Sequence, residues 1–428
     1  MEKYSSYKDS GVQWLGEIPS HWEVLRLGSY FSERKEKVSD KDYEPLSVTK
    51  NGIFPQLDNV AKTKDGDNRK LVRKNDFVIN SRSDRKGSSG VSKYDGSVSL
   101  INIVLEPRKA LEPSFCNYLL KSTEFIEEFY RNGHGIVADL WTTRYDEMKQ
   151  IKVAFPPLEE QQSMASYLDK ATAEIDKAIA QQQHMIDLLN ERKQIIIQRA
   201  VTRGLDENVE MKDSELSWLG HIPSHWELIR LGYTSWIRAR LGWRGLKANE
   251  YVDSGYAFLS AFNIVNNKMQ WDKVNFINKF RYDESPEIKL NIGDILLVKD
   301  GAGIGKCARV DELPLGEATA NGSLAFITPN QYLDYRFLHY FIICDSFKKY
   351  TELLLTGMGV PHFTQGAMKK VKVPIPPLEE QKRIIFHLDE EVGKFDIAIG
   401  RLEKQISLLQ ERKQIIISEV VTGKIKVS

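Results

Sequence analysis

Asp300–Cys307 (DGAGIGKC) is the stretch of this 428-residue chain that comes nearest to a phosphate-binding loop. Such a loop frees backbone N–H groups at glycines and adds a lysine and a hydroxyl for phosphate and metal. The pattern needs Gly where Asp300 stands and Ser or Thr where Cys307 stands, so both key positions fail. A glycine turn after a strand is the better reading. No nucleophile elbow G-x-S-x-G and no zinc motif H-E-x-x-H occurs. Nor is there an Asn-Pro-Pro-aromatic or Asp-Pro-Pro-Tyr run of the kind that holds a flipped base during amino methylation. The acid pairs Glu159-Glu160 and Glu379-Glu380 each follow a Pro pair, where the positive end of a helix dipole accounts for them. His21 and His225 recur in one motif, without a second ligand at zinc spacing, and are expected to be packing residues. Cys116, Cys307 and Cys344 are scattered, which fits a reducing compartment and no disulfide framework. Nothing here points to chemistry carried out by this chain.

Binding is better supported. Sixty Lys and Arg against 59 Asp and Glu give a net charge of +1, which excludes a uniformly basic coat but not a local patch. From Val60 to Lys93 there are ten basic and four acidic residues, among them Lys62, Lys64, Arg82, Arg85 and Lys86, with Ser88 in the same run. Trp236–Lys247 (WIRARLGWRGLK) carries Arg238, Arg240, Arg244 and Lys247 with no acid. Cations interleaved with Trp, Ser and Gly suit phosphates and base edges. The alternative for any one of them is a solvated surface charge.

The elements that would position these clusters are written twice. Asp9–Gly28 and Asp213–Gly232 share 14 of 20 residues, both containing IPSHWE. Pro156–Gln161 (PPLEEQ) recurs at Pro376–Gln381, and Glu191–Ile197 (ERKQIII) at Glu411–Ile417. Between them lie dissimilar segments, 29–152 and 233–372, holding the two basic clusters. Asp76–Asn80 and Ile292–Val298 read as strands, Tyr118–Tyr130 and Tyr335–Leu355 as helices, so each variable segment is α+β. A unit of about 200 residues is a duplicated domain rather than a solenoid repeat.

The PPLEEQ blocks open long helices. Leu158–Val201 contains no Pro or Gly, and a helix of that span would be roughly 65 Å long. Leu168, Ile175, Ile179, Ile186 and Leu189 recur at heptad spacing, as do Leu388, Phe395, Ile399, Leu402, Ile406 and Leu409. Such a stripe must be buried against a partner helix. The expected partner is the other copy, in an antiparallel coiled coil with a pseudo-two-fold repeat; each helix packing on its own domain is the alternative. The fold class is thus α+β, with two target-binding domains separated by two long helices. The expected boundaries are 1–155, 156–204, 205–375 and 376–428. With no apolar run long enough for a bilayer and a polar N-terminus, the expectation is a soluble cytoplasmic protein without membrane contact.

This order resembles the specificity subunit of type I restriction-modification systems, on the PPLEEQ helix starts, the ERKQIII tails and Gly293–Leu296 (GDIL) followed by Gly303-Ile304-Gly305-Lys306. Gly133-His134-Gly135 and Gly357-Met358-Gly359 look like the turn that closes each target-recognition domain. Asn75-Asp76-Phe77-Val78 stands where the first half should have GDIL. The resemblance implies that each variable segment reads one half of a split, asymmetric site in double-stranded DNA. It also implies that the helices set the spacer and dock two methyltransferase subunits, with restriction-translocase subunits completing the complex. S-adenosylmethionine, ATP and Mg²⁺ would then belong to those partners, with no cofactor or metal on this chain. Lys306 joins the basic residues named above as a DNA-contact candidate. The rivals are a free-standing methyltransferase or nuclease, and a coiled-coil scaffold that binds only proteins.

Overall fold

The computed structural model describes residues 2–56, 66–135, 141–240, 246–301, 303–355 and 362–427. The chain divides into two compact units, Met1–Gln183 with Leu402–Ser428, and His184–Arg401. This division cuts across both long helices, Leu158–Arg203 and Leu378–Val421. Each unit therefore contains part of both.

In the first unit a hairpin (Tyr7–Asp9 with Glu17–Pro19) leads into Glu23–Arg26, which pairs with Lys152–Phe155 just before the long helix. The variable segment forms a four-stranded sheet in the order Ser89–Val91, Phe77–Asn80, Asn102–Pro107, Phe31–Glu33. A second sheet holds Gly96–Val98, Arg69–Val72 and Lys37–Val38. The second unit repeats the plan, with Met211–Asp213 on His221–Pro223 and Glu227–Arg230 on Lys372–Ile375. Its four-stranded sheet runs Ser235–Ala239, Leu324–Pro329, Ile295–Val298, Cys307–Arg309. Segments that share almost no sequence thus form the same sheet.

Each stretch read as one helix is two. Pro113–Lys121 and Thr123–Arg131 break at Ser122, whose hydroxyl caps the second helix by accepting the Phe125 N–H. Tyr335–Ile343 and Asp345–Leu355 break at the extended Cys344. A serine at a cap satisfies an otherwise orphaned N–H, so apolar periodicity runs on across a real boundary.

The long helices pack together within each unit. In the first, Leu168 and Ile175 join Ile416, Ile417, Val420 and Val421 in the core, and Asp176 accepts a 2.6 Å bond from Lys413. In the second, Ile197, Ala200 and Val201 meet Ile384, Ile385 and Leu388, and Lys193 lies 3.0 Å from Asp396. In both, residue numbers rise along one helix as they fall along the other, so the packing is antiparallel. Leu168, Ile186 and Leu388 are buried, and Ile175, Ile179, Leu189, Phe395, Ile399, Leu402, Ile406 and Leu409 are half-buried. Met185, Leu188, Ile195, Phe386, Ile397, Leu408 and Ile415 lie off that stripe and are exposed.

The duplicated motifs are the joints of this frame. Glu160, in the first turn of its helix, accepts the Trp22 indole N–H at 3.2 Å and sits 2.8 Å from His21 Nε2. Glu380 does the same for Trp226 (3.1 Å) and His225 (2.8 Å). The next residue, Gln161, donates to the Pro156 carbonyl and accepts the Glu112 N–H; Gln381 donates to Pro376 and accepts from Asp334. SHWE and PPLEEQ recur together because they are two halves of one contact. The dipole alone accounts for Glu159 and Glu379, which are exposed, but not for Glu160 and Glu380. His21 and His225 hold a carboxylate at the surface instead of packing in a core. Each helix then ends at a left-handed glycine, Gly204 (φ +76°) or Gly423 (φ +73°). At Gly423 a Cβ would lie 2.4 Å from Pro19 Cδ, so no larger residue fits without movement.

Candidate nucleic-acid interface

Both four-stranded sheets are anchored by a buried ion pair. Asp294, fully buried at the turn before Ile295–Val298, accepts a 2.6 Å bond from Arg238 on the end strand Ser235–Ala239, one strand removed across Leu324–Pro329. Arg238 also donates to Thr328 Oγ1 and the Lys289 carbonyl, and lies 4.4 Å from the Trp236 ring centroid and 5.2 Å from that of Phe326. In the first unit Asp76 takes Arg34 at 2.7 and 3.1 Å, and Arg34 reaches Glu106 at 3.0 Å. The aspartate receives a turn N–H in both, from Arg73 (2.8 Å) and Asn291 (2.9 Å). Asn75 (φ +74°) adopts the left-handed conformation of Gly293 (φ +90°), which Asn tolerates better than most residues. The turn of the first half is thus the GDIL turn with Asn in place of Gly.

The strand after each anchor runs into a loop at the far end of the sheet, where the two units differ in chemistry. In the first, Arg82 forms an antiparallel bridge with Thr142, which also bridges His134. Gly133 is required beside it, since a Cβ there would lie 2.6 Å from Thr143 Oγ1 and 2.7 Å from Trp141 Nε1. In the second unit the same antiparallel bridge joins Asp300 to His362, and His362 Nδ1 bonds the Asp300 carboxylate. Burial raises the Asp300 pKa, but the bonds from Lys299 and His362 outweigh it and leave it below the ordinary carboxylate value. A partly exposed carboxylate, held by Lys299 and His362, therefore stands where the first unit presents a guanidinium.

The residues expected to contact DNA fall into four groups: exposed, half-buried, buried, and outside the described residues. Arg82, Arg85, Lys247 and Lys306 are exposed. Lys86 is half-buried, paired with Glu127 at 2.7 Å and 5.9 Å from the Tyr130 ring centroid. Arg238 and Arg240 belong to the domain interior: their side chains are 4% and 8% exposed, and Arg240 lies 3.4 Å from Glu284. Ser88 is buried, its carbonyl accepting the Asn80 N–H. Lys62, Lys64, Arg244 and the Gly357-Met358-Gly359 turn lie outside the described residues. Sequence reasoning missed the Asp300–His362 pair, because its members are 62 positions apart and neither belongs to a basic run.

Among the described residues no group of three or more His, Cys, Asp or Glu could hold a metal ion. Cys116, Cys307 and Cys344 are all buried, and burial raises each thiol pKa. Among the same residues no helix is long and apolar enough to cross a membrane.

Comparison with known proteins matches the chain to the type I restriction modification DNA specificity domain twice, at residues 19–183 and 225–407. The chain belongs to this family. It is 27% identical over 424 residues to the type I restriction enzyme MjaVIII specificity subunit of Methanocaldococcus jannaschii, covering 96% of this chain and 94% of that one. It is 23% identical over 210 residues to the EcoKI specificity subunit of Escherichia coli, covering 48% of this chain and 44% of that one. A solved structure described by the complex assembly and conformational transition of the type I R-M system has a TM-score of 0.68. It is 17% identical and covers 95% of this chain and 99% of its own, a likeness of fold.

Proposed function

We propose that this specificity subunit reads a split DNA site, one half with each variable segment, and performs no chemistry itself. The observation that carries the reading is the shared backbone bridge at the loop end of each sheet. Built on the same buried Arg–Asp frame, it holds Arg82 with Thr142 in one unit and Asp300 with His362 in the other. An arginine matches the two acceptors of guanine, whereas a carboxylate accepts from the exocyclic amine of cytosine. Two readers of opposite chemistry on one frame are suited to an asymmetric target. Arg85, Lys86, Lys247 and Lys306 would serve as contacts to phosphate or base, and Lys62, Lys64 and Arg244 of the two basic stretches of the sequence are candidates for the same role.

The antiparallel helices act as the ruler that fixes the spacing of the half-sites, as protein geometry fixes half-site spacing elsewhere. Their exposed apolar residues off the seam, such as Leu188 and Ile195, suit two docked methyltransferase subunits. Methylation at adenine N6, cleavage and translocation fall to the methyltransferase and restriction subunits, which would hold S-adenosylmethionine, ATP and Mg²⁺. The fold and the absence of catalytic motifs favour this over a free-standing enzyme, and the exposed cations favour it over a protein-only scaffold. Replacing residues 29–152 with the corresponding segment of another specificity subunit should change one half of the methylated motif and leave the other half intact. A change in both halves would refute the division of labour.

A further inference from the structure

Phe262 is 92% exposed, more than any other large apolar side chain among the described residues. A phenyl ring left in water forgoes the free energy of burial. Yet its backbone is firmly held. Ser260 Oγ accepts the Phe262 N–H at 3.3 Å, and Asn263 Oδ1 accepts the Ser260 N–H at 2.9 Å. Asn263 is itself buried and donates to the carbonyls of Lys273 (3.0 Å) and Gln270 (3.3 Å). The turn Ala261–Asn263 is a rigid mount for an exposed ring.

That mount stands at the reading end of the second unit. It follows directly on the strand Tyr256–Leu259, and the Leu259 carbonyl accepts the Asn321 N–H at 2.8 Å. Two residues on, the Ser323 carbonyl accepts the Lys299 N–H, and the Lys299 carbonyl accepts the Phe363 N–H, each at 2.9 Å. These bonds tie the Phe262 turn to the loops that present Asp300 and His362. The first unit makes the matching parallel pairing at Pro45 and Ser97, then passes straight into the hairpin Leu46–Thr49 with Gly52–Pro55. The turn is thus particular to the second reader.

We infer that Phe262 is an aromatic wedge that stacks against, and partly opens, one base step of the half-site read by the second unit. The inference rests on the DNA reading above. The phenyl face has no hydrogen-bonding group, so it selects by stacking and by the ease of unstacking, which is greatest at pyrimidine–purine steps. Exposed Lys273 and Lys306 supply cations for the flanking phosphates.

The test uses the full chain assembled with its methyltransferase subunit, and the motif that this wild-type complex methylates. Duplexes carrying 2-aminopurine at successive positions of the second half-site report unstacking by fluorescence. The wild type should brighten the probe at one step. Phe262→Ala should abolish that rise and weaken binding roughly ten- to hundred-fold, while Phe262→Trp keeps both. The exposed position leaves folding untouched, so stability should be unchanged. A bound wild-type complex that brightens no position, or an Ala variant that brightens the same one, overturns the wedge. Loss of the methyltransferase subunit from the Ala variant overturns it too, assigning the ring to a protein contact. A wild-type complex that assembles and binds no DNA would overturn the underlying reading, and the wedge with it.

Discussion

Arg238→Met discriminates between frame and reader in the second unit. The Arg238 and Asp294 side chains are 4% and 0% exposed, so water cannot replace the lost partner. Removing the guanidinium leaves a buried carboxylate with only the Asn291 N–H (2.9 Å) and the Thr328 hydroxyl. Breaking a pair this deep costs about 3–5 kcal/mol, most of it the penalty of the charge left behind. Adding Asp294→Asn removes that charge but keeps an acceptor for the Asn291 N–H. The double variant should therefore be more stable than Arg238→Met alone, a non-additivity that a contact with DNA could not produce. In the first unit Arg34 is 20% exposed and reaches Glu106 as well, so Arg34→Met should cost less, about 1.5–3 kcal/mol. Urea unfolding gives the totals. Hydrogen exchange should show Arg238→Met loosening Ile295–Val298 and Leu324–Pro329 while Phe77–Asn80 keeps its protection. An Arg238→Met protein within about 0.5 kcal/mol of wild type, with an altered half-site preference, would refute the frame assignment.

Other outcomes follow from single residues. His339 is buried, and burial with Arg309 beside it pushes its pKa down to about 3. It stays neutral in the folded chain while the unfolded chain takes up a proton as pH falls below about 6.5, so stability declines from there towards pH 3, by about 2 kcal/mol between pH 7 and 5. His339→Phe should flatten that part of the pH–stability curve, and an unchanged slope would contradict it. Trp226→Phe, which strips Glu380 of its indole donor and shrinks a fully buried side chain, should cost about 2–4 kcal/mol in urea unfolding. His225→Ala, at the exposed side of the same carboxylate, should cost under about 1 kcal/mol. Arg85→Ala should change preference at the first half-site alone. Lys306→Ala should weaken binding to all sequences and reduce the salt slope by about 1. The reverse pattern in binding titrations would exchange their roles.

The frame was legible wherever the same residues occur twice. IPSHWE and PPLEEQ announced the duplication and the helix starts, and the residues at heptad spacing from Leu168 to Leu409 are buried or half-buried. What Glu160 and Gln161 hold was not legible, because the Trp22 indole and the Glu112 N–H come from distant positions. The readers were harder. WIRAR reads as a basic run, but its strand pairs within a sheet covered on both faces, so alternation does not carry Arg238 to the surface. Its partner Asp294 lies 56 positions away. Phe262 gave no sequence signal at all, since an isolated phenylalanine normally lies in a core.

The central claim is two readers on one ruler, and methylation mapping tests it most directly. The chain would be co-expressed with its methyltransferase subunit, and N6-methyladenine mapped in host DNA by single-molecule sequencing. The account predicts one split motif, with two unlike halves around a spacer of fixed length. A contiguous or palindromic motif from an active, assembled complex would contradict it.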